Sequence, residues 1–255
     1  MGKAGIALCI ASQLWMATGA FAAESTLSAQ NIMQQFNLVV FGSATSTSDV
    51  DGRSFIGGSV SGGTYATSNL MTSSYPGLIV KGSASNVMVN SQGTVVGGSI
   101  ANSTINNGSS AIMGSSSNTS YNGAGVTYVA GTVQGGNLNQ TRLTSLSQNA
   151  TLQQEVATTD AMAATTMKSS LGALSSQLSK LQATGSYTVD NKNKVTFNAT
   201  ANTSGIAVID LTGSNSNTLT AFKEFAFNVD KSISTLVFNV DSSNISIAAN
   251  FLANS

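Results

Sequence analysis

The sequence predicts a mainly β protein: a parallel β-helix of short Gly/Ser/Asn-rich coils, with one long α-helix packed alongside and further C-terminal strands. Three patterns support this prediction: a motif that recurs along the first half, a helical spacing of apolar residues, and a later return of strand-type alternation. They occupy successive stretches. The expected organisation is therefore repeat coils at 36–141, a helical segment at 143–182 and strands at 186–255.

The recurring motif is an aliphatic residue, any residue, Gly, and then Ser or Thr. Its glycines are spaced by 16, 24, 16, 16 and 17 residues, at Gly42, Gly58, Gly82, Gly98, Gly114 and Gly131. A unit of this length is too short to bury a core, so successive units are expected to stack, each strand pairing with its equivalent one coil away. Each unit predicts two strands and two turns, and glycine allows a positive φ or a close backbone approach at the corners.

Two further columns follow from the same period. Seven residues after the glycine stands an apolar side chain that we expect inside the coils, namely Tyr65, Val89, Ile105, Tyr121 and Leu138. The next residue is an asparagine expected to form an amide ladder between coils, at Asn90, Asn106, Asn122 and Asn139. The eight extra residues between Gly58 and Gly82 include Pro76, the only proline, and predict a loop that leaves one coil.

A long helix is predicted after the repeats, because apolar residues recur there every three or four positions. They are Ala163, Met167, Leu171, Leu174, Leu178 and Leu181. Asp160 could cap the start of this helix and Gly185 its end. Its length matches the rise of roughly 29 Å expected for six coils, so we expect it along an open side of the stack. About six strands are predicted from Ser186 onward, and because the sequence ends directly after them, a truncated reading frame is one interpretation.

The first 23 residues predict a cleaved signal peptide. Lys3 is followed by an almost unbroken apolar stretch, and small residues precede an expected cleavage after Ala22 or Ala23. An uncleaved N-terminal anchor is the alternative. Cys9, the only cysteine, lies within this segment. Export without disulfides indicates a bacterial periplasm, cell surface or extracellular location, and we expect no membrane span in the mature chain.

The composition limits the kinds of catalytic and binding site that the chain can form. The sequence has no histidine, which removes the commonest general base and metal ligand, and its ten basic and ten acidic residues give no electrostatic basis for binding nucleic acid. Asp49 and Asp51 are a weak Ca²⁺ candidate; a structural pair of these carboxylates with Arg53 is the favoured interpretation. Residues 54–141 contain only one charged residue, Lys81, so a lyase-type site is not expected.

The sequence gives little support to an ice-binding face or to an aromatic platform for sugars. An ice-binding face would need Thr-x-Thr at the same place in each coil, whereas Thr45-Ser46-Thr47 occurs once. Tyr65, Tyr121 and Tyr128 could stack on sugars, but Tyr65 and Tyr121 fall in register with Val89 and Ile105, so we expect burial in the coils.

Three segments resemble the opening of the choice-of-anchor A family: 36–42 (FNLVVFG), 48–53 (SDVDGR) and 56–59 (IGGS). The resemblance implies a secreted bacterial adhesive domain on a β-helix related in shape to ice-binding folds. No sorting motif, Pro-Glu-Pro type tail or C-terminal apolar run is seen, which leaves the mode of anchoring open.

The expected function is a secreted, non-catalytic surface or matrix protein, adhesive towards extracellular polysaccharide or other cell-surface or matrix material, with no cofactor. An ice- or carbohydrate-binding module and a purely structural coat protein are the alternatives. Self-association is left open.

Overall fold

The computed structural model describes residues 6–11, 27–68, 73–190, 193–215, 218–241 and 250–252. The chain divides into two compact units. One comprises residues 21–170, and the other comprises residues 1–20 and 171–255. In the described chain no helix is long and apolar enough to cross a membrane.

The first unit is a parallel β-helix whose coils contribute strands to three sheets. The first face has seven strands: Leu38–Val40, Ser54–Ile56, Leu78–Val80, Thr94–Val96, Ser110–Ile112, Val126–Val129 and Thr141–Leu143. The second face has six: Ala44–Thr45, Val60–Ser61, Ala84–Ser85, Ile100–Ala101, Ser116–Ser117 and Val133–Gln134. The third face has five: Asp49–Val50, Thr64–Tyr65, Met88–Val89, Thr104–Ile105 and Ser120–Tyr121.

Three strands a coil replace the two that the sequence predicts. Strands of two residues are too short to show an alternation of apolar and polar side chains, so the second and third faces read as one strand and a turn. The parallel pairing between coils agrees with the prediction: Ile56 pairs with Val80, and Val80 with Val96. Tyr65, Val89, Ile105 and Tyr121 form a second column, extended by a bridge from Tyr121 to Leu138. These columns form one buried apolar core.

Two helices belong wholly to the first unit. Helix α1 (Ala29–Gln35) begins at Ser28, whose Oγ accepts the N–H of Asn31 at 3.1 Å. Helix α2 (Ala150–Ala161) follows a 3₁₀ turn at Leu146–Gln148 and begins at Asn149, whose Oδ1 accepts the N–H of Leu152. The apolar side of α2 packs on the outer surface of the first face through Leu152, Val156, Val95, Ala111 and Leu143.

The helix predicted near 160–182 is present but shorter than expected, and both of its predicted ends are wrong. Helix α2 ends at Ala161, and helix α3 (Ala164–Leu178), in which the division between the units falls, begins three residues later. Asp160 lies inside α2, and Gly185 begins a strand. The break falls at Met162, whose extended backbone and buried side chain interrupt the helical run.

The second unit alternates between two sheets. In one, Lys194–Ala199, Glu224–Val229 and Asn250–Leu252 run parallel, with Gly185–Val189 antiparallel at the edge. In the other, Ile206–Leu211 is parallel to Thr235–Val240. Along the chain, two short helices, Gly213–Asn215 and Thr218–Ala221 (α4), connect Ile206–Leu211 to Glu224–Val229. Successive parallel strands therefore form wider coils of two strands each, around a core with Phe197, Phe225 and Phe238 in edge contact.

Residues 6–11 add a strand antiparallel to Thr235–Val240. This strand lies within the predicted signal peptide, whose remaining residues, with the expected cleavage site, lie outside the described residues. Cleavage there would remove the strand from the mature chain, and the signal peptide stays a prediction.

Candidate functional site

The corner between the first and second faces is built from the repeated Gly-Ser pair. The N–H of Gly58 donates to the carbonyl of Gly42 at 2.8 Å, and the same bond joins the glycines of later coils. Beside it, the N–H of Ser59 donates to Oγ of Ser43 at 3.1 Å. This bond also repeats. The result is a continuous line of hydroxyls, the corner column: Ser43, Ser59, Ser83, Ser99, Ser115 and Thr132.

Glycine is required at this corner by close approach. A Cβ on Gly114 would lie 2.5 Å from Oγ of Ser99 and 2.8 Å from the carbonyl carbon of Gly98, both inside van der Waals contact. On Gly42, in the first coil, a Cβ would meet nothing within 4 Å. None of the six motif glycines has a positive φ. Of the two roles that the sequence suggested for these glycines, the structure shows the close approach.

A second line of side chains points outward from the same sheet, two residues after each member of the corner column. This face column consists of Thr45, Ser61, Ser85, Ala101, Ser117 and Gln134. Residues two apart in a strand share a face, so the two columns stand about 7 Å apart and repeat about every 4.8 Å along the stack. Together they form the hydroxyl surface. Over its first five coils, from Ser43 to Ser117, this surface is a shallow trough lined only by Ser, Thr, Ala, Val and Ile.

Sequence reasoning missed this surface because it looked for threonine. The signal is a Ser/Thr-x-Ser/Thr triplet beginning at the Ser or Thr of the motif, in the segments 43–45, 59–61, 83–85 and 115–117. Thr45-Ser46-Thr47, the triplet that was considered, runs from the second-face strand Ala44–Thr45 into the following turn. Serine supplies the same hydroxyl as threonine without its methyl group.

Asparagine ladders hold the other corners. Asn106 Nδ2 donates to Oδ1 of Asn90 at 2.8 Å, and Asn122 and Asn139 continue the line at 3.4 and 2.8 Å. A second ladder follows the second face, where Asn86, Asn102 and Asn118 have φ of 55°, 50° and 46°, a left-handed conformation that asparagine tolerates well. In this second ladder Asn118 Nδ2 donates to Oδ1 of Asn102 at 3.3 Å, so amide bonds between coils stabilise the stack.

The aspartate pair lies at the first coil. Asp51 accepts a hydrogen bond from Thr67 Oγ1, while Asp49 is exposed on the third face. Arg53 is buried: its Nε donates to the carbonyl of Tyr75 at 3.0 Å and its Nη2 to Oε1 of Gln92, and burial lowers its pKa. Arg53 thereby ties the end of the inserted loop to the coils. Among the described residues no three acidic or cysteine side chains are grouped to hold a metal, and Ca²⁺ at the aspartates stays a prediction.

The two tyrosines lie inside the coils, as predicted. Both side chains have no exposed surface. The hydroxyl of Tyr65 donates to the carbonyl of Gly62, and that of Tyr121 bonds with Ser116 Oγ at 2.9 Å. Burial raises the pKa of Tyr121 to about 12. Neither ring is available as a platform for a sugar.

Short parallel coils of three faces, one covered by a helix and one presenting hydroxyls, define a β-helix with an uncharged, shallow trough. A family model described as "Putative Ice-binding-like adhesive domain" matches residues 29–255. The chain belongs to this family of ice-binding-like adhesive domains. The match does not confirm the narrower choice-of-anchor A assignment. Neither the search of curated proteins nor the search of solved structures returned a match.

Proposed function

We propose that this chain is an exported, non-catalytic adhesive domain that binds extracellular polysaccharide through the hydroxyl surface. The single observation that carries the proposal is the pair of uncharged columns on the second face, in which hydroxyls fill all six corner positions and four of the six face positions. Membership of an adhesive family supports the class of function. The predicted signal peptide supports export, and the absence of histidine from the sequence supports a role without catalysis.

The chemistry of the surface favours a neutral, polyhydroxylated ligand. Each serine of the corner column that accepts an N–H from the next coil keeps its own hydroxyl hydrogen as a donor. One such hydrogen bond contributes only about 0.5–1.5 kcal/mol, so useful affinity requires many bonds at once. A polymer of repeating sugars can make them along the trough. The trough offers no charged side chain to favour an anionic ligand.

Adsorption of the purified chain to insoluble polysaccharides tests the proposal. Neutral glucans and chitin are compared with an anionic polysaccharide, a matrix protein and whole bacterial cells. We expect retention on at least one neutral polysaccharide, little changed by raising the salt concentration, because no ion pairs are involved. Absence of retention on all these materials, or turnover of a glycan by the intact protein, would overturn the proposal.

Ice is the second candidate ligand, because hydroxyls that repeat with the coils of a β-helix are also suited to an ordered lattice of water. The family description points the same way. Thermal hysteresis distinguishes the two ligands. A gap between freezing and melting points, without retention on polysaccharide, would replace the first proposal by the second. Absence of both thermal hysteresis and retention on polysaccharide would favour a structural coat.

A further inference from the structure

Helix α2 buries an acid where it packs on the first face. Oε2 of Glu155 is inaccessible to solvent and has no hydrogen-bond partner among the described residues. One helical turn later, Oγ1 of Thr159 is in the same condition. The neighbouring residues Leu152 and Val156 pack on Val95 and Ala111. An ionised carboxylate at this interface would lose hydration without gaining a donor.

The elements around α2 offer little charge to compensate. The strands beneath it, Thr94–Val96 and Ser110–Ile112, and the turn Leu146–Gln148 contain no ionisable side chain. Lys81 reaches the helix, but its Nζ donates to the carbonyl of Thr159 at 2.8 Å. Arg142 and Asp160 are exposed, and the uncharged Tyr128 of the strand Val126–Val129 packs against the same apolar cluster as α2. Glu155 has no salt bridge within 4 Å among the described residues.

We propose that Glu155 makes α2 a pH-sensitive cover of the first face, docked while its carboxyl is protonated and loosened when the carboxylate forms. Loosening would uncover the apolar outer surface of the first face around Val95 and Ala111. The inference is independent of the hydroxyl surface, which lies on the second face.

The direction follows from the proton affinity of the two states. Burial raises the pKa of Glu155 from its ordinary 4.5 to about 7 in the docked helix. The docked state therefore binds the proton more tightly, and its stabilisation is complete below pH 4.5 and is lost as the pH rises through about 7. Glu155 as a residue is only half-buried, so we expect α2 to open about tenfold more often at pH 8 than at pH 5.

Hydrogen exchange of the full chain, with rates corrected for intrinsic exchange, measures this opening. Protection of the α2 amides should fall about tenfold from pH 5 to pH 8, while amides of the third face at Val89 and Ile105 stay unchanged. Glu155→Gln should keep α2 protected at both pH values, since the amide mimics the uncharged acid. Asp160→Asn changes an exposed carboxylate of the same helix and should retain the tenfold response.

Equal protection of α2 at pH 5 and pH 8 in the wild-type chain would overturn the proposal. The same tenfold fall in Glu155→Gln would do so too, because another group would then be responsible. A fall shared by α2 and the third-face amides would also count against it, since that would report loosening of the whole coil stack.

Discussion

At the scale of single residues, the corner glycines decide whether coils can stack. Gly114 is close to Ser99 Oγ and to the backbone of Gly98, and the backbone cannot move without breaking the glycine-to-glycine hydrogen bond. We predict that Gly114→Ala lowers the free energy of unfolding by about 1–3 kcal/mol, the usual cost of overpacking. Denaturation by urea measures the change.

Gly42→Ala is the matched control, because the same motif position in the first coil has open space around it. Its free energy of unfolding should change by no more than about 0.5 kcal/mol. Equal losses in the two variants would show that the motif glycines serve backbone conformation rather than close approach.

The corner serines should stabilise the fold, because each accepts a hydrogen bond from a backbone N–H of the next coil. Ser99→Ala removes the acceptor of the Ser115 N–H, which bonds at 3.0 Å, and we expect a loss of about 1 kcal/mol. Ser85→Ala provides the comparison, since this serine belongs to the face column of the same surface, and it should be close to neutral. Thermal unfolding followed by circular dichroism distinguishes them. A neutral Ser99→Ala would contradict the ladder.

The sequence predicts much at this scale wherever a residue recurs with the coil. Glycines, asparagines and the inward column of Tyr65 and Val89 all follow from the period. The face column cannot be predicted from the period, because Ala101 and Gln134 interrupt it and serine is common throughout the chain. Its members share an outward orientation, and this orientation is known only once the second-face strands have been located.

At the scale of elements, the apolar periodicity predicts helix α3 but not which helix covers the first face. The apolar spacing of 163–181 is the stronger pattern, yet α2, with only Leu152 and Val156 as buried apolar residues, is the helix that covers the first face. Helix α2 depends on its Asn149 cap and on tertiary packing more than on an apolar stripe. The apolar residues Leu143, Leu146, Leu152 and Val156 predict a helical segment here, but not that it is the helix that covers the first face.

Lys81 should stabilise the C-terminal end of α2, where its Nζ meets the carbonyl of Thr159. We predict that Lys81→Met reduces the protection of α2 amides by about 0.5–1 kcal/mol, with the coils unaffected. Lys168→Met, at an exposed position in α3, is the control and should leave α2 unchanged. Loss of protection throughout the coils would instead assign Lys81 to the stability of the stack.

At the scale of the whole molecule, the family match extends over residues 29–255 and so includes both units. The sequence predicts the parallel coils of the first unit from one motif. It also predicts strands in the second, but their pairing in wider, two-strand coils follows no short repeat. Parallel partners such as Phe197 and Phe227 are 30 residues apart. We propose that binding occurs at the hydroxyl surface of the second face.

Adsorption of two charge variants to a neutral polysaccharide tests that assignment most directly. Ser85→Glu with Ser117→Glu places two carboxylates in the hydroxyl surface, and Thr104→Glu with Ser120→Glu places them at outward positions of the third face. Both variants should keep the thermal midpoint of the wild-type chain within a few degrees. The second-face variant should adsorb at least about tenfold more weakly, because each glutamate removes hydroxyl contacts and must lose hydration. The third-face variant should bind like the wild type, and equal adsorption by the two variants would contradict binding through the hydroxyl surface.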